Sequence, residues 1–287
     1  MISWFTYSLI ATILFGVSTA LYKLPFAKDV NRYAVGFWVL FVLEIFSLVF
    51  FFSQLTQFPG KILLWAGLWG VSFSLLILLQ MFALSFVDTN TLFPITTSVS
   101  LILTVTFGVF FFSDRLYFLQ VAGLLLTIIA VYLFLYRGGK LQYSRYVIGV
   151  GGVLVFLSVF NKIIQKIVAD GYNIQEFQVY QYLFGILSSL IIFFVSKKEI
   201  SFKKLFGRKQ INLGVLIGIP SFFGTYALLL ALTKGPFTLV MALHSQYVFV
   251  TAITGFFLFK EQFSSRKIFA LVLSVCAILL IRLGEFL

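Results

Sequence analysis

The sequence predicts an all-α membrane protein whose ten transmembrane helices form two inverted five-helix repeats. Three observations carry that expectation. Apolar residues make up 61% of the 287-residue chain and charged residues 10%, against about a quarter charged in a soluble domain. The mean hydropathy is +1.07. The apolar residues fall into ten blocks, each about as long as a bilayer is thick. A stretch near the end of the fourth block returns 147 positions later, with Gly108 matched by Gly255, Phe112 by Phe259 and Asp114 by Glu261. Five blocks per half is an odd number, so the second half enters the membrane from the opposite side. Repeats of that kind suit a device that opens one central site to two sides in turn.

Each block offers about twenty residues, enough to cross a core of about 30 Å at 1.5 Å per residue. The first, 3–24, follows a start, Met1 to Ser3, that lacks the basic region and cleavage site of a signal peptide, so it stays as a helix carrying Ser18 and Tyr22. The second, 34–53, holds Glu44 near its middle. The third, 62–86, contributes Trp69 and Gln80, and the fourth, 90–112, a polar patch of Thr96, Thr97, Ser98 and Ser100. The fifth, 118–136, and the seventh, 177–195, enter on length and hydropathy. The sixth, 146–168, bears Asn161, Lys162, Gln165 and Lys166 at helical spacing. The eighth, 211–233, has Gly214 and Gly218 for close helix approach, a kink at Pro220, then Thr225 and Tyr226. The ninth, 237–259, holds His244, Ser245 and Gln246. The tenth, 266–284, contains the only cysteine, Cys276, read as a packing residue. The blocks are continuously apolar, which favours helices over the alternating strands of a barrel. Residues 1–137 form the first repeat and 146–287 the second, together one membrane domain.

A net charge of +12 raises nucleic acid as a partner. The basic residues sit instead in short links between blocks, which argues against it. The odd-numbered links carry Lys23, Lys28, Arg32, Arg137, Lys140, Arg145, Lys197, Lys198, Lys203, Lys204, Arg208, Lys209, Lys260, Arg266 and Lys267. The even links and termini carry Lys61, Arg115, Lys166, Lys234 and Arg282, five against fifteen. The positive-inside rule then puts the odd links in the cytoplasm and both termini outside.

Polar groups inside a span cost about 2.5 to 3.5 kcal/mol for a central charge unless they face protein or water. Glu44 reads either as a proton-coupling or cation-binding carboxylate or as a partner for another helix. Lys162 either holds an anionic part of a solute or snorkels to the interface. His244, the only histidine, reads as a proton relay or as a hydrogen-bonded packing residue. It has no second histidine or cysteine beside it, so no metal site is expected. It falls 147 positions after Thr97, which marks both helices as walls of one cavity. The expected solute-binding set is Ser18, Tyr22, Trp69, Gln80, Thr97, Ser98, Asn161, Lys162, Gln165, Tyr226, His244 and Gln246, with Glu44 and His244 as coupling candidates. Blocks 1, 3, 4, 6, 8 and 9 line the site. Adjacent His244 and Ser245 point about 100° apart on a helix, a poor dyad. No phosphate-cradling loop or selectivity-filter segment is present. No enzyme activity and no cofactor are expected.

The segments Phe110-Phe111-Phe112-Ser113-Asp114-Arg115-Leu116 and Phe256-Phe257-Leu258-Phe259-Lys260-Glu261-Gln262-Phe263 look like the apolar-run, Gly-Glu-Arg signature of the drug/metabolite transporter superfamily. Ala83-Leu84-Ser85, Ala231-Leu232-Thr233 and Pro94 add to the likeness. Over essentially its full length the chain resembles the ten-helix EamA-type branch. It departs in having Ser113-Asp114 and Lys260-Glu261 where Gly-Glu is common, and in termini read as outside where relatives look cytoplasmic. The resemblance implies a secondary transporter of a small metabolite working by alternating access, with amino acids first among cargoes by analogy. An exporter of lipophilic cations using Glu44 is the alternative, and a membrane enzyme or scaffold for lipid-linked substrates the next. The expected setting is the inner membrane of a prokaryote, as a monomer or homodimer, with the bilayer and the solute as partners.

Overall fold

The computed structural model describes residues 3–55, 60–87, 89–135, 145–195, 205–260 and 264–284. Its helices are α1 (Trp4–Leu21), α2 (Leu24–Ala27), α3 (Arg32–Phe51), α4 (Gly60–Ala83), α5 (Thr89–Phe110), α6 (Phe118–Leu135), α7 (Arg145–Gly171), α8 (Ile174–Val195), α9 (Arg208–Leu232), α10 (Phe237–Ser245), α11 (Tyr247–Phe259) and α12 (Ser265–Leu283). No strand occurs among the described residues. Seven stretches there are long and apolar enough to cross a membrane, with α10 and α11 counted as one; Ile95–Phe110 and Phe118–Leu133 are shorter apolar helices. The molecule is an integral, multi-pass, all-α membrane protein.

Helix starts follow the sequence. Ser3 caps α1 by accepting from Thr6 N. Asn31 Oδ1 accepts from Tyr33 N and Ala34 N at α3, and Asn173 Oδ1 from Gln175 N and Glu176 N at α8. Each satisfies amides that the first turn leaves without partners. Outward faces are apolar: Leu64, Leu68, Val71 and Leu75 recur at helical spacing on α4 and are all exposed. Cys276, expected to pack, is likewise exposed on α12, because that helix turns Ala277 and Ile281 toward Gly123 of α6 instead.

Lipid is as apolar as leucine, so close packing and hydrogen bonds hold such helices together. A β-carbon on Gly70 would stand 2.3 Å from Gln181 O, so only glycine lets α4 lie on α8. Gly214 and Gly218 do the same for α9 against Trp38 and Val42 of α3, as their spacing predicts. α9 runs unbroken through Pro220. Contacts fix directions as well. α1 and α9 run antiparallel, Trp4 meeting Gly235 and Phe15 meeting Gly224. α6 and α12 do too, Gln120 meeting Gly284 and Gly123 meeting Ile281.

The repeated signature has a local cause. Ser113 and Lys260 both adopt the left-handed conformation, with φ of 55° and 53°, ending α5 and α11. Glycine suits that position best. The next residue, Asp114, accepts a 2.6 Å hydrogen bond from Thr238 N in the first turn of α10, and Gly108 leaves room for Thr238. The second copy's Glu261, Gln262 and Phe263 lie outside the described residues, as do Arg137, Lys140, Lys197, Lys198, Lys203 and Lys204 of the basic links.

Candidate functional site

Hydrogen bonds and ring contacts join the inner faces of the long helices into a continuous polar belt. Asn161 of α7 accepts from Ser72 of α4. One residue on, Lys162 turns to α5, where its Nζ donates to Ser100 Oγ at 2.7 Å. Ser100 is also 3.3 Å from Ser158. One turn earlier on α5, Thr97 lies 3.0 Å from the Tyr247 hydroxyl. His244 packs edge-on to Phe15 of α1 at 4.9 Å, and Thr12 Oγ1 donates to Leu243 O. Trp69 stacks on Phe73 and meets Tyr182 of α8 edge-on at 5.8 Å.

The ninth block is not one helix. It breaks at Gln246, whose N–H turns back to Leu243 O, while Phe249 N bonds Gln246 O, a tightened turn of i to i+3 type. Gln246 Nε2 reaches Thr127 of α6 and holds the break. Breaks of this kind at membrane depth are tolerated only against protein or a cavity, and they mark binding sites in carriers.

The belt is rich in buried polar atoms without partners. Trp69 Nε1, Asn161 Nδ2, His244 Nδ1 and Gln246 Oε1 are all buried and unpaired, and Gln178 and Gln181 gather with Thr225 around the buried Tyr182 hydroxyl without well-formed hydrogen bonds. Such a group costs about 1 to 3 kcal/mol, and native structures keep few of them. Their gathering around one belt makes it the most polar part of the described interior.

Of the expected residues, Trp69, Thr97, Asn161, Lys162, His244 and Gln246 meet there. Gln165 is buried a turn beyond Asn161, and Ser18, also buried, donates to Phe15 O. Tyr22 is buried just past the end of α1, and Ser98 is half-buried on α5. Two stand apart. Gln80 is half-buried about 12 Å along α4 from Ser72, and Tyr226 bonds Gln175 at the start of α8. Glu44 shares a stripe of α3 with Leu40, which packs on Gly185 of α8; it is 7% exposed and its Oε2 has no partner. Lys166, instead of snorkelling freely, pairs with Asp170 at 2.6 Å and donates to Leu232 O. Sequence reasoning placed α8 as the seventh span but named no site residue on it, although Gln178, Gln181 and Gly185 fall on one helical face. A separate cavity of about 690 Å³ opens at one end of the bundle, lined by Asp29, Asn31, Arg32, Tyr33, Ser85 and Gln210 among others.

The profile of the EamA-like transporter family, a drug/metabolite transporter domain, matches residues 147–283. Residues 147–283 are thus similar to the EamA-like transporter family. Asn161, Lys162, Gln178, Gln181, Tyr182 and His244 all lie in this EamA-like half. A solved structure described only as "Crystal structure of protein" shares 15% identity over 96% of each chain, with a TM-score of 0.71, a likeness of fold. No curated protein matches the sequence.

Proposed function

We propose that the chain is a secondary transporter that moves a small polar metabolite, an amino acid or similar solute, across a prokaryotic inner membrane by alternating access. The observation that carries this reading is the belt of buried, unpaired donors and acceptors at the broken ninth block. A solute with its own donors and acceptors would complete them, and a few kcal/mol of otherwise unmet hydrogen bonding is a source of binding energy.

The reading includes ten crossings and two inverted halves, 1–137 and 146–287. The packing supports both. Exchanging the halves maps the α1–α9 pair onto α7–α4, α4–α8 onto α9–α3, and α1 against α10 and α11 onto α7–α5, while α3–α8 and α6–α12 map onto themselves. The left-handed pair Ser113 and Lys260 repeats at the same 147-residue offset. Antiparallel packing along α6 and α12 favours both as spans. The cavity gathers residues from the first and seventh links and from the end of the third block, in keeping with odd links on one side.

A second reading, export of a lipophilic cation, draws on Glu44, a buried carboxylate with an unpaired oxygen. Uptake into proteoliposomes from a pooled panel of labelled amino acids, sugars, nucleotides and lipophilic cations separates the two. The proposal expects saturable uptake of a polar solute that Gln181→Leu abolishes and Glu44→Gln leaves measurable. Uptake confined to lipophilic cations and lost in Glu44→Gln would favour the second reading.

A further inference from the structure

Lys162 places a cation inside the bundle without an anion beside it. It is 7% exposed, and its Nζ is turned to Ser100, itself 1% exposed, instead of to an interface. An ammonium has three N–H groups, and one is used there. The carboxylate nearest in sequence, Asp170, is bonded to Lys166. Glu44 sits on the stripe of α3 that packs on α8. No carboxylate among the described residues pairs with Lys162. A central charge of this kind is costly unless it is balanced.

The groups near Lys162 include further donors. Asn161 Nδ2 is buried without a partner on the preceding residue. His244, whose Nδ1 is equally buried and unpaired, packs on Tyr247, whose hydroxyl meets Thr97 one turn from Ser100. Thr97 and Ser100, one turn apart on α5, bring the start of α11 and Lys162 to neighbouring positions. The start of a helix carries partial positive charge.

Resting on the transport reading above, we propose that this site recognises its solute through one carboxylate, seated on Lys162 and hydrogen-bonded by Asn161 and His244. One ammonium balances one negative charge, which favours a carboxylate over a phosphate with its charge of about −1.5 to −2. The carboxylate is the missing counter-ion, and its removal from a solute leaves Lys162 unbalanced.

The test uses the full-length protein in proteoliposomes and probes matched except for charge: labelled L-alanine and L-leucine with their amides, lactate with lactamide, and glycerol 3-phosphate. The expected result is carriage of at least one carboxylate, with its amide weaker by about tenfold or more. Lys162→Gln removes that preference and Lys162→Arg keeps it. Amides carried as well as their parents, carriage of the phosphate ester alone, or a folded Lys162→Gln protein that still prefers the carboxylate would each overturn the inference and leave transport standing. Carriage of no probe would overturn both. The wild-type comparison decides the matter if a variant fails to fold.

Discussion

Ser113 and Lys260 hold a backbone conformation that costs an ordinary L-residue about 1 to 2 kcal/mol. Ser113→Gly and Lys260→Gly should each stabilise the protein by about 1 kcal/mol, read as a rise in melting temperature in detergent. A fall in either variant would mean that the present side chains make contacts worth more than the strain. Gln181 makes the opposite kind of prediction. Replacing this buried amide, which makes no well-formed hydrogen bond, with leucine removes a desolvation cost of about 1 to 3 kcal/mol, so Gln181→Leu should leave stability equal or higher while uptake is lost. Loss of both together would make Gln181 a packing residue. Lys162, Asn161 and His244 were legible in the sequence because a charge or a lone titratable group inside an apolar block stands out. Gln178, Gln181 and Tyr182 were not singled out, since glutamine and tyrosine also serve interfaces and the ring that Tyr182 meets, Trp69 on α4, is more than 100 residues away.

Helix positions were legible for a simple reason: the bilayer requires about twenty apolar residues per crossing, and the links are rich in charge or turn residues. The start of α3 at Arg32 and of α8 at Ile174 follows capping by Asn31 and Asn173. The break at Gln246 was hidden, because no glycine or proline stands at the turn and Gln246 is tied to Thr127 on another helix. Close approach was half legible. Glycine spacing marked Gly214 and Gly218, whereas Gly70 acquires its meaning only when Gln181 is found against it. Gly70→Val should cost about 1 to 3 kcal/mol by forcing α4 from α8, measured as a lower melting temperature. An unchanged value would show that this seam yields without strain.

At the scale of the whole molecule, the proposal of two similar halves draws its support from the 147-residue repeat and from the helix pairing. The EamA-like match covers the second half, and the likeness to a solved fold extends over 96% of the chain. Inversion followed from counting five blocks per half, but the pairing that supports it, α4 on α8 against α9 on α3, needed coordinates. So did the cavity of about 690 Å³ at one end, away from the belt. A continuous belt and an end cavity fit a carrier in which the site faces one side at a time, and such a carrier differs from a pore in one measurable way. Proteoliposomes loaded with excess unlabelled solute, once a carried probe is known, should show transient accumulation of external label above equilibrium before it declines. Label that rises monotonically to equilibrium, whatever the internal load, would contradict alternating access.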